Sequence, residues 1–226
     1  MPNPYINAAI RSSRDHEVYF FMKNKYLRLH YAPGTYNDKI LTNLRPVSST
    51  FPALASKSFD VIDCAFDTEA SEAYVFSGNR CAYIDYAPGS AQDKILAGPT
   101  TIAEMFPALK NYVFADGIDA AFRSTQGKEV YLFKGNLYCR IAYDTKKIIG
   151  RIYDIGDGFT VLKGTIFESG IDACFATHKD SQAYLFKGDK YVRIKFTPGS
   201  SNDTLLGDIR PILDGWPVLR GILPVD

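Results

Sequence analysis

Apolar and polar positions alternate along this chain in a phrase that returns four times. The clearest copy is Val130-Tyr131-Leu132-Phe133-Lys134-Gly135-Asn136-Leu137-Tyr138-Cys139-Arg140-Ile141, two alternating runs on either side of Gly-Asn. Alternation places one face of a strand inward and the other outward, and Gly-Asn accepts the positive φ of a tight hairpin turn. Gly78-Asn79 and Gly188-Asp189 hold the same place in two other copies, with Lys23-Asn24 a weaker turn in the first. Ahead of each hairpin lies a short segment of small residues: Ile6-Asn7-Ala8-Ala9-Ile10, Ile62-Asp63-Cys64-Ala65-Phe66, Ile118-Asp119-Ala120-Ala121-Phe122 and Ile171-Asp172-Ala173-Cys174-Phe175. Small side chains suit an inner strand crowded near an axis.

The copies begin roughly 55 residues apart, a period at which each unit buries its apolar face only against its neighbours. Each copy ends in Phe51-Pro52-Ala53-Leu54, Phe106-Pro107-Ala108-Leu109, Phe159-Thr160-Val161-Leu162 or Trp216-Pro217-Val218-Leu219. Proline tolerates a first helical turn, so one turn of helix is predicted beside each outer strand. After the third strand come Tyr31-Ala32-Pro33-Gly34, Tyr86-Ala87-Pro88-Gly89 and Phe196-Thr197-Pro198-Gly199, each leading into a polar run that reads as a surface excursion. The third copy has only Asp144-Thr145-Lys146-Lys147, so the rim is uneven. The predicted fold is all-β: a four-bladed propeller with a central channel and short helical turns at the blade ends. It forms one domain over 1–226, with blades near 4–55, 59–112, 115–166 and 168–224.

The D-A-A-F start, the Y-x-F-K-G-x-x-Y-x-R-I hairpin and the closing F-P-x-L resemble the hemopexin-like repeat family over essentially the whole chain. Within it, the Ala-Pro-Gly insertion, the lack of a signal peptide and the final Trp216-Pro217-Val218-Leu219-Arg220-Gly221-Ile222-Leu223-Pro224 resemble the legume seed albumin-2 group. Secreted members of the wider family close the ring with a disulfide between first and last blades. Here the cysteines are Cys64, Cys81, Cys139 and Cys174, none near a terminus, so closure must come from packing and strand pairing. Their spacing matches no zinc signature, and they read as buried thiols acting as small hydrophobes.

Charge excludes some functions. With 26 basic and 25 acidic residues, the chain is too balanced for the phosphate-neutralising surface that nucleic-acid binding needs. No run of about 18 apolar residues predicts a membrane span, and Met1-Pro2-Asn3-Pro4-Tyr5 lacks a leader's basic start, so the expected location is the cytosol; the resemblance makes that the cytosol of seed cells. No phosphate-binding glycine loop, H-E-x-x-H, G-x-S-x-G or recognisable Cys/His pair occurs, and a non-enzymatic protein is expected.

The resemblance implies a cation on the channel axis, held by the backbone carbonyls of Asn7, Asp63, Asp119 and Asp172. Four convergent carbonyl oxygens are hard ligands suited to calcium or sodium, and backbone ligation explains how Asn7 replaces aspartate. The alternative is that these side chains only satisfy turns at the strand starts. Two residues on, the amides of Ala9, Ala65, Ala121 and Cys174 form a possible inward donor ring for chloride or water. Glu17, Glu72 and Glu129, with Gln182 in the fourth copy, begin the second strands; three carboxylates around an axis attract a slender polycation, and the resemblance names spermine. The competing reading pairs them with neighbours such as Lys128 or Arg123. Hemin is a second ligand the resemblance implies, with His16, His30 and His178 as the imidazole candidates. The expected function is therefore a seed albumin that senses or sequesters a polyamine or hemin, with a homodimer as a further expectation. A storage or structural protein with structural ions only, or a protein-interaction propeller, are the alternatives.

Overall fold

Four antiparallel meanders account for the strands in a computed structural model that describes residues 4–225; the Met1–Asn3 start read above lies outside the described residues. Blade one holds β1 (Ala8–Arg11), β2 (Glu17–Met22), β3 (Lys25–His30) and β4 (Lys39–Pro46). Blade two holds β5 (Cys64–Asp67), β6 (Glu72–Ser77), β7 (Arg80–Asp85) and β8 (Lys94–Thr101). Blade three holds β9 (Ala120–Arg123), β10 (Glu129–Lys134), β11 (Leu137–Ala142) and β12 (Lys147–Asp154). In blade four, β13 (Ala173–Ala176), β14 (Gln182–Lys187) and β15 (Lys190–Lys195) are followed by an outer strand split into β16 (Thr204–Leu205) and β17 (Arg210–Pro211), both paired with β15. The four first strands are sheet edges and pack against one another in a closed ring, so they surround the axis.

The predicted helical turns are present as α1 (Pro52–Ala55), α2 (Ile102–Met105), α3 (Ile155–Gly158) and α4 (Ile212–Gly215), and the closing segments of the last three copies add a 3₁₀ turn after them. The core divides into four apolar clusters, one at each seam between neighbouring blades. At the seam of blades one and four, Ile6 from the start of the chain packs with Trp216, Leu219 and Leu223 from its end. All four cysteines are buried free thiols, as the sequence predicts. Burial pushes the Cys139 thiol up to about 12, which removes the thiolate that reactivity requires.

The Ala-Pro-Gly segments lead into exposed runs, as the sequence predicts, and add a contact that it did not show. They are clasps laid across the preceding blade. Gly34 N–H donates to the Tyr184 hydroxyl at 3.1 Å and Gly89 N–H to the Tyr19 hydroxyl at 3.2 Å. Positive φ at Gly34 and Gly89, 83° and 77°, and the missing Cβ let the backbone come against the guanidiniums of Arg193 and Arg28. Blade three lacks the clasp, and there the Lys146 ammonium takes its place, 4.2 Å from the Tyr74 ring centroid and 4.7 Å from that of Phe106.

Candidate functional site

One mouth of the channel is built from the first residue of each D-A-A-F motif. Asn7, Asp63, Asp119 and Asp172 all line one cavity of about 260 Å³. Their side chains are spent on turns: Asn7 Oδ1 accepts from Lys23 N at 2.7 Å, and one carboxylate oxygen of Asp63, Asp119 and Asp172 accepts from Gly78, Gly135 and Gly188 N at 2.6, 2.7 and 2.7 Å. Each turn residue so held has positive φ, between 53° and 56°, and Lys23 needs that anchor most because it carries a side chain. The main-chain N–H groups are spent as well, on Phe21, Phe76, Phe133 and Phe186 carbonyls. Among the described residues none of the four carbonyls has a hydrogen-bond partner. The turn role and the carbonyl role are therefore compatible, because they use different atoms.

Strand alternation orients the next ring. Ser12, Thr68, Ser124 and Thr177 N–H bond Glu17, Glu72, Glu129 and Gln182 carbonyls, which sets the phase of each inner ladder. Counting back through the registers, Ala9, Ala65, Ala121 and Cys174 fall at non-hydrogen-bonded pairs, so their amides face the free edge of the strand and hence the axis. Sequence reasoning missed Asp116 and Lys134, which join the first ring in lining the mouth; the Lys134 ammonium pairs with Asp119 at 2.7 Å. Burial is the main cause that raises the Asp172 carboxyl above the usual range. Among the described residues no three His, Cys, Asp or Glu side chains form a metal-ligand group, so backbone oxygen is the donor this mouth offers a hard cation.

The glutamates are a correction. Each is engaged within its own blade: Glu17 with Arg28 at 3.3 Å, Glu129 with Arg140 at 3.2 Å, and Glu72 with the Tyr83 hydroxyl. None lines the axial cavity, because a second strand sits one ladder out from the axis and its first side chain is claimed by the third strand. The opposite end of the channel is instead set by the last residues of the inner strands. Arg11 bonds Asp67 at 2.6 Å and the Thr177 carbonyl at 3.0 Å, while Arg123 reaches Glu69 at 3.0 Å. Reading the final position of each inner strand across the copies would have found them.

The three histidines converge although two are in blade one and one in blade four. The His16 ring centroid is 5.7 Å from His30 and 5.9 Å from His178. His178 Nε2 donates to the Ser12 carbonyl at 3.0 Å, and Nδ1 lies 2.9 Å from the Tyr31 hydroxyl, which donates to it in the neutral ring. Burial holds its pKa below the ordinary value of 6.5, with Arg11 and His16 adding and the bond to the Ser12 carbonyl and Asp15 opposing. A base with a lowered folded pKa contributes stability above 6.5 that is lost as pH falls through the folded value. From about pH 7 to about pH 5 the wild-type melting temperature should fall further than that of His178→Gln, as thermal unfolding at both pH values would show.

No family model matches the chain. Two curated relatives do: albumin-2 of Pisum sativum, 51% identical over 98% of this chain and 97% of the relative, and albumin-2 of Lathyrus sativus, 50% identical over 98% of each. The chain belongs to the albumin-2 family. Its fold is shared by solved albumin-2-like structures, including a hemopexin-fold protein from cow pea, 72% identical with a TM-score of 0.96 over 99% of this chain and all of that one. Two structures from Cicer arietinum cover 98% of this chain and all of their own, each with a TM-score of 0.96. One, 54% identical, is described as a plant albumin showing hemagglutination, and the other, 56% identical, as a plant lectin with two metal-binding sites. The albumin-2 chain thus carries the hemopexin-like fold that its repeats predict. Among its described residues no helix is long and apolar enough to cross a membrane.

Proposed function

We propose that this albumin-2 protein is a non-enzymatic binding protein that holds a hard cation, calcium or sodium, on the carbonyl ring of Asn7, Asp63, Asp119 and Asp172. The observation that carries the reading is that these four residues share one cavity while their N–H groups and side chains are bonded elsewhere. Neutral carbonyl ligands make a weak site, on the order of 10⁻⁴–10⁻³ M. The amide ring of Ala9, Ala65, Ala121 and Cys174 fits chloride below it. The carboxylates of Asp63, Asp116, Asp119 and Asp172, against the single lysine Lys134 among the lining residues, favour one ammonium end of a polyamine such as spermine at this mouth. That moves the polyamine from the glutamates to the aspartates. The metal-binding sites of the Cicer arietinum relative support the cation reading.

Thermal unfolding of metal-stripped protein tests it. Calcium at a hundredfold excess over its dissociation constant should add about 2.7 kcal/mol, and spermine should add a saturable rise that a monoamine does not. No shift with calcium or sodium would sink the ion site; a calcium shift with none from spermine would leave a structural ion only.

Two specific observations favour further ligands. His30 and His178 gather beside the exposed His16, which gives hemin an imidazole at the blade one and four seam; a Soret shift abolished in His16→Ala would support it. The hemagglutination of the other Cicer arietinum relative favours glycan recognition as a second reading of this chain.

A further inference from the structure

Three clefts repeat around the propeller where a clasp crosses the preceding blade. Each is lined by the Tyr-Tyr-Arg face of the second and third strands and by the clasp glycine. Their polar groups are not equally satisfied. At the seam of blades one and two, Asp93 of the clasp accepts from Ala53 N, at 3.0 Å, and Leu54 N, at 3.1 Å, through its two carboxylate oxygens. At the seam of blades three and four, Asp203 accepts from Thr197 N at 3.0 Å through one oxygen and leaves the other buried without a partner. Asp38 holds the matching position at the seam of blades one and four, is only 8% exposed, and makes no hydrogen bond among the described residues. Here too the closing aromatic is Trp216, where the other copies carry phenylalanine, and its buried indole N–H also lacks a partner.

Both orphans line the same cleft of about 180 Å³, room on the order of six water molecules. Buried polar groups are bonded in nearly all native structures, and two in one cleft call for a common partner. That partner must offer a donor to the Asp38 carboxylate and an acceptor to Trp216 Nε1, beside the guanidinium of Arg193 and against the rings of Tyr184 and Tyr191. An amine would satisfy Asp38 but leave the indole N–H unpaired and face Arg193 and Arg210. A carboxylate or phosphate would meet Asp38. Adjacent hydroxyls on a sugar ring both donate and accept, and the ring carries C–H faces that pack on aromatic walls.

We propose that the cleft between blades one and four binds the hydroxyl-bearing edge of a sugar, with Asp38 as acceptor and Trp216 and Arg193 as donors. This deepens the glycan reading given above and rests on it; the carbonyl ring at the axis plays no part. Burial pushes the unpartnered Asp38 carboxyl up to about 7. A sugar hydroxyl donating to the ionised form lowers it again, so binding strengthens as pH rises through that value.

Trp216 is the chain's only tryptophan, so its fluorescence reports occupancy of this cleft directly. The full-length protein is titrated with glucose, galactose, mannose and N-acetylglucosamine, with methylamine and sodium acetate as controls, and erythrocyte agglutination is measured alongside. At least one sugar should give a saturable change in the millimolar range, weakened about tenfold or more in Asp38→Asn. Transfer of magnetisation from protein to sugar protons provides a second readout, also usable with Trp216→Phe. No saturable response to any sugar by either method, an equal response to methylamine, or sugar affinity unchanged in Asp38→Asn overturns the proposal. Agglutination that persists in both variants removes this site and leaves the glycan reading standing; a wild type that neither agglutinates nor binds any sugar removes both.

Discussion

Trp216→Ala lowers the stability of the protein by about 3–5 kcal/mol, the loss expected when a fully buried indole leaves a cavity. Trp216 is 2% exposed, and its ring packs edge-on to Phe20 at 5.2 Å and Tyr184 at 5.1 Å. It sits at the seam where the first and last blades meet, and no disulfide joins them. Trp216→Phe is the control supplied by the molecule itself, because the other copies carry Phe51, Phe106 and Phe159 there. That smaller change should cost less than about 1.5 kcal/mol. Guanidinium unfolding followed by circular dichroism measures both, since the substitutions remove the fluorophore. A cost below about 1 kcal/mol for the alanine variant would show that the seam does not depend on this ring.

The second large effect is electrostatic. Arg11→Met leaves the Asp67 carboxylate, with an 8% exposed side chain, without its partner and removes the bond to the Thr177 carbonyl. One guanidinium therefore ties blade one to blades two and four. Breaking such a pair from one side costs about 3–5 kcal/mol, whereas replacing both partners by apolar residues is often close to neutral. Arg11→Met should show the full loss in urea unfolding, and Arg11→Met with Asp67→Leu should recover most of it. If the double variant is as unstable as the single one, the bond to blade four matters more than the ion pair.

Both effects fall at the inner ends or edges of blades, which is where a ring without a covalent clasp must gain its closure. A repeat protein sums blade stabilities and seam terms, and the seam of blades one and four is the only one not followed by continuous chain. The clasp of blade one, through Gly34 and Tyr184, and the His178–Tyr31 pair cross the same seam. The sugar cleft lies there too, which makes its occupancy a candidate contributor to ring closure by mass action.

Much of this architecture was legible in the residues. Period-two alternation defined the hairpins, Gly-Asn and Gly-Asp marked their turns, and the recurring start motif placed Asn7, Asp63, Asp119 and Asp172 around one axis, because a repeated phrase must occupy equivalent positions in a closed ring. The inward amides of Ala9, Ala65, Ala121 and Cys174 follow from the same alternation once the ladder phase is known. Local spacing could not assign the partners of Glu17, Glu72 and Glu129, since a carboxylate at the start of a second strand is claimed by whichever third-strand side chain the twist brings alongside. Nor could it bring His178 to His16 and Tyr31, which requires the ring to close. Asp38 and Asp93 occur in nearly the same phrase, Asn37-Asp38-Lys39-Ile40-Leu41 and Gln92-Asp93-Lys94-Ile95-Leu96, yet one is unpartnered and the other caps a helical turn. The sequence by itself determined the strands, the fourfold repeat and the residues on the axis, because these depend on periodicity within a blade. Only the tertiary structure decided what happens between blades, because a contact across a seam depends on how two rigid sheets meet, and residues far apart in the chain supply its two sides.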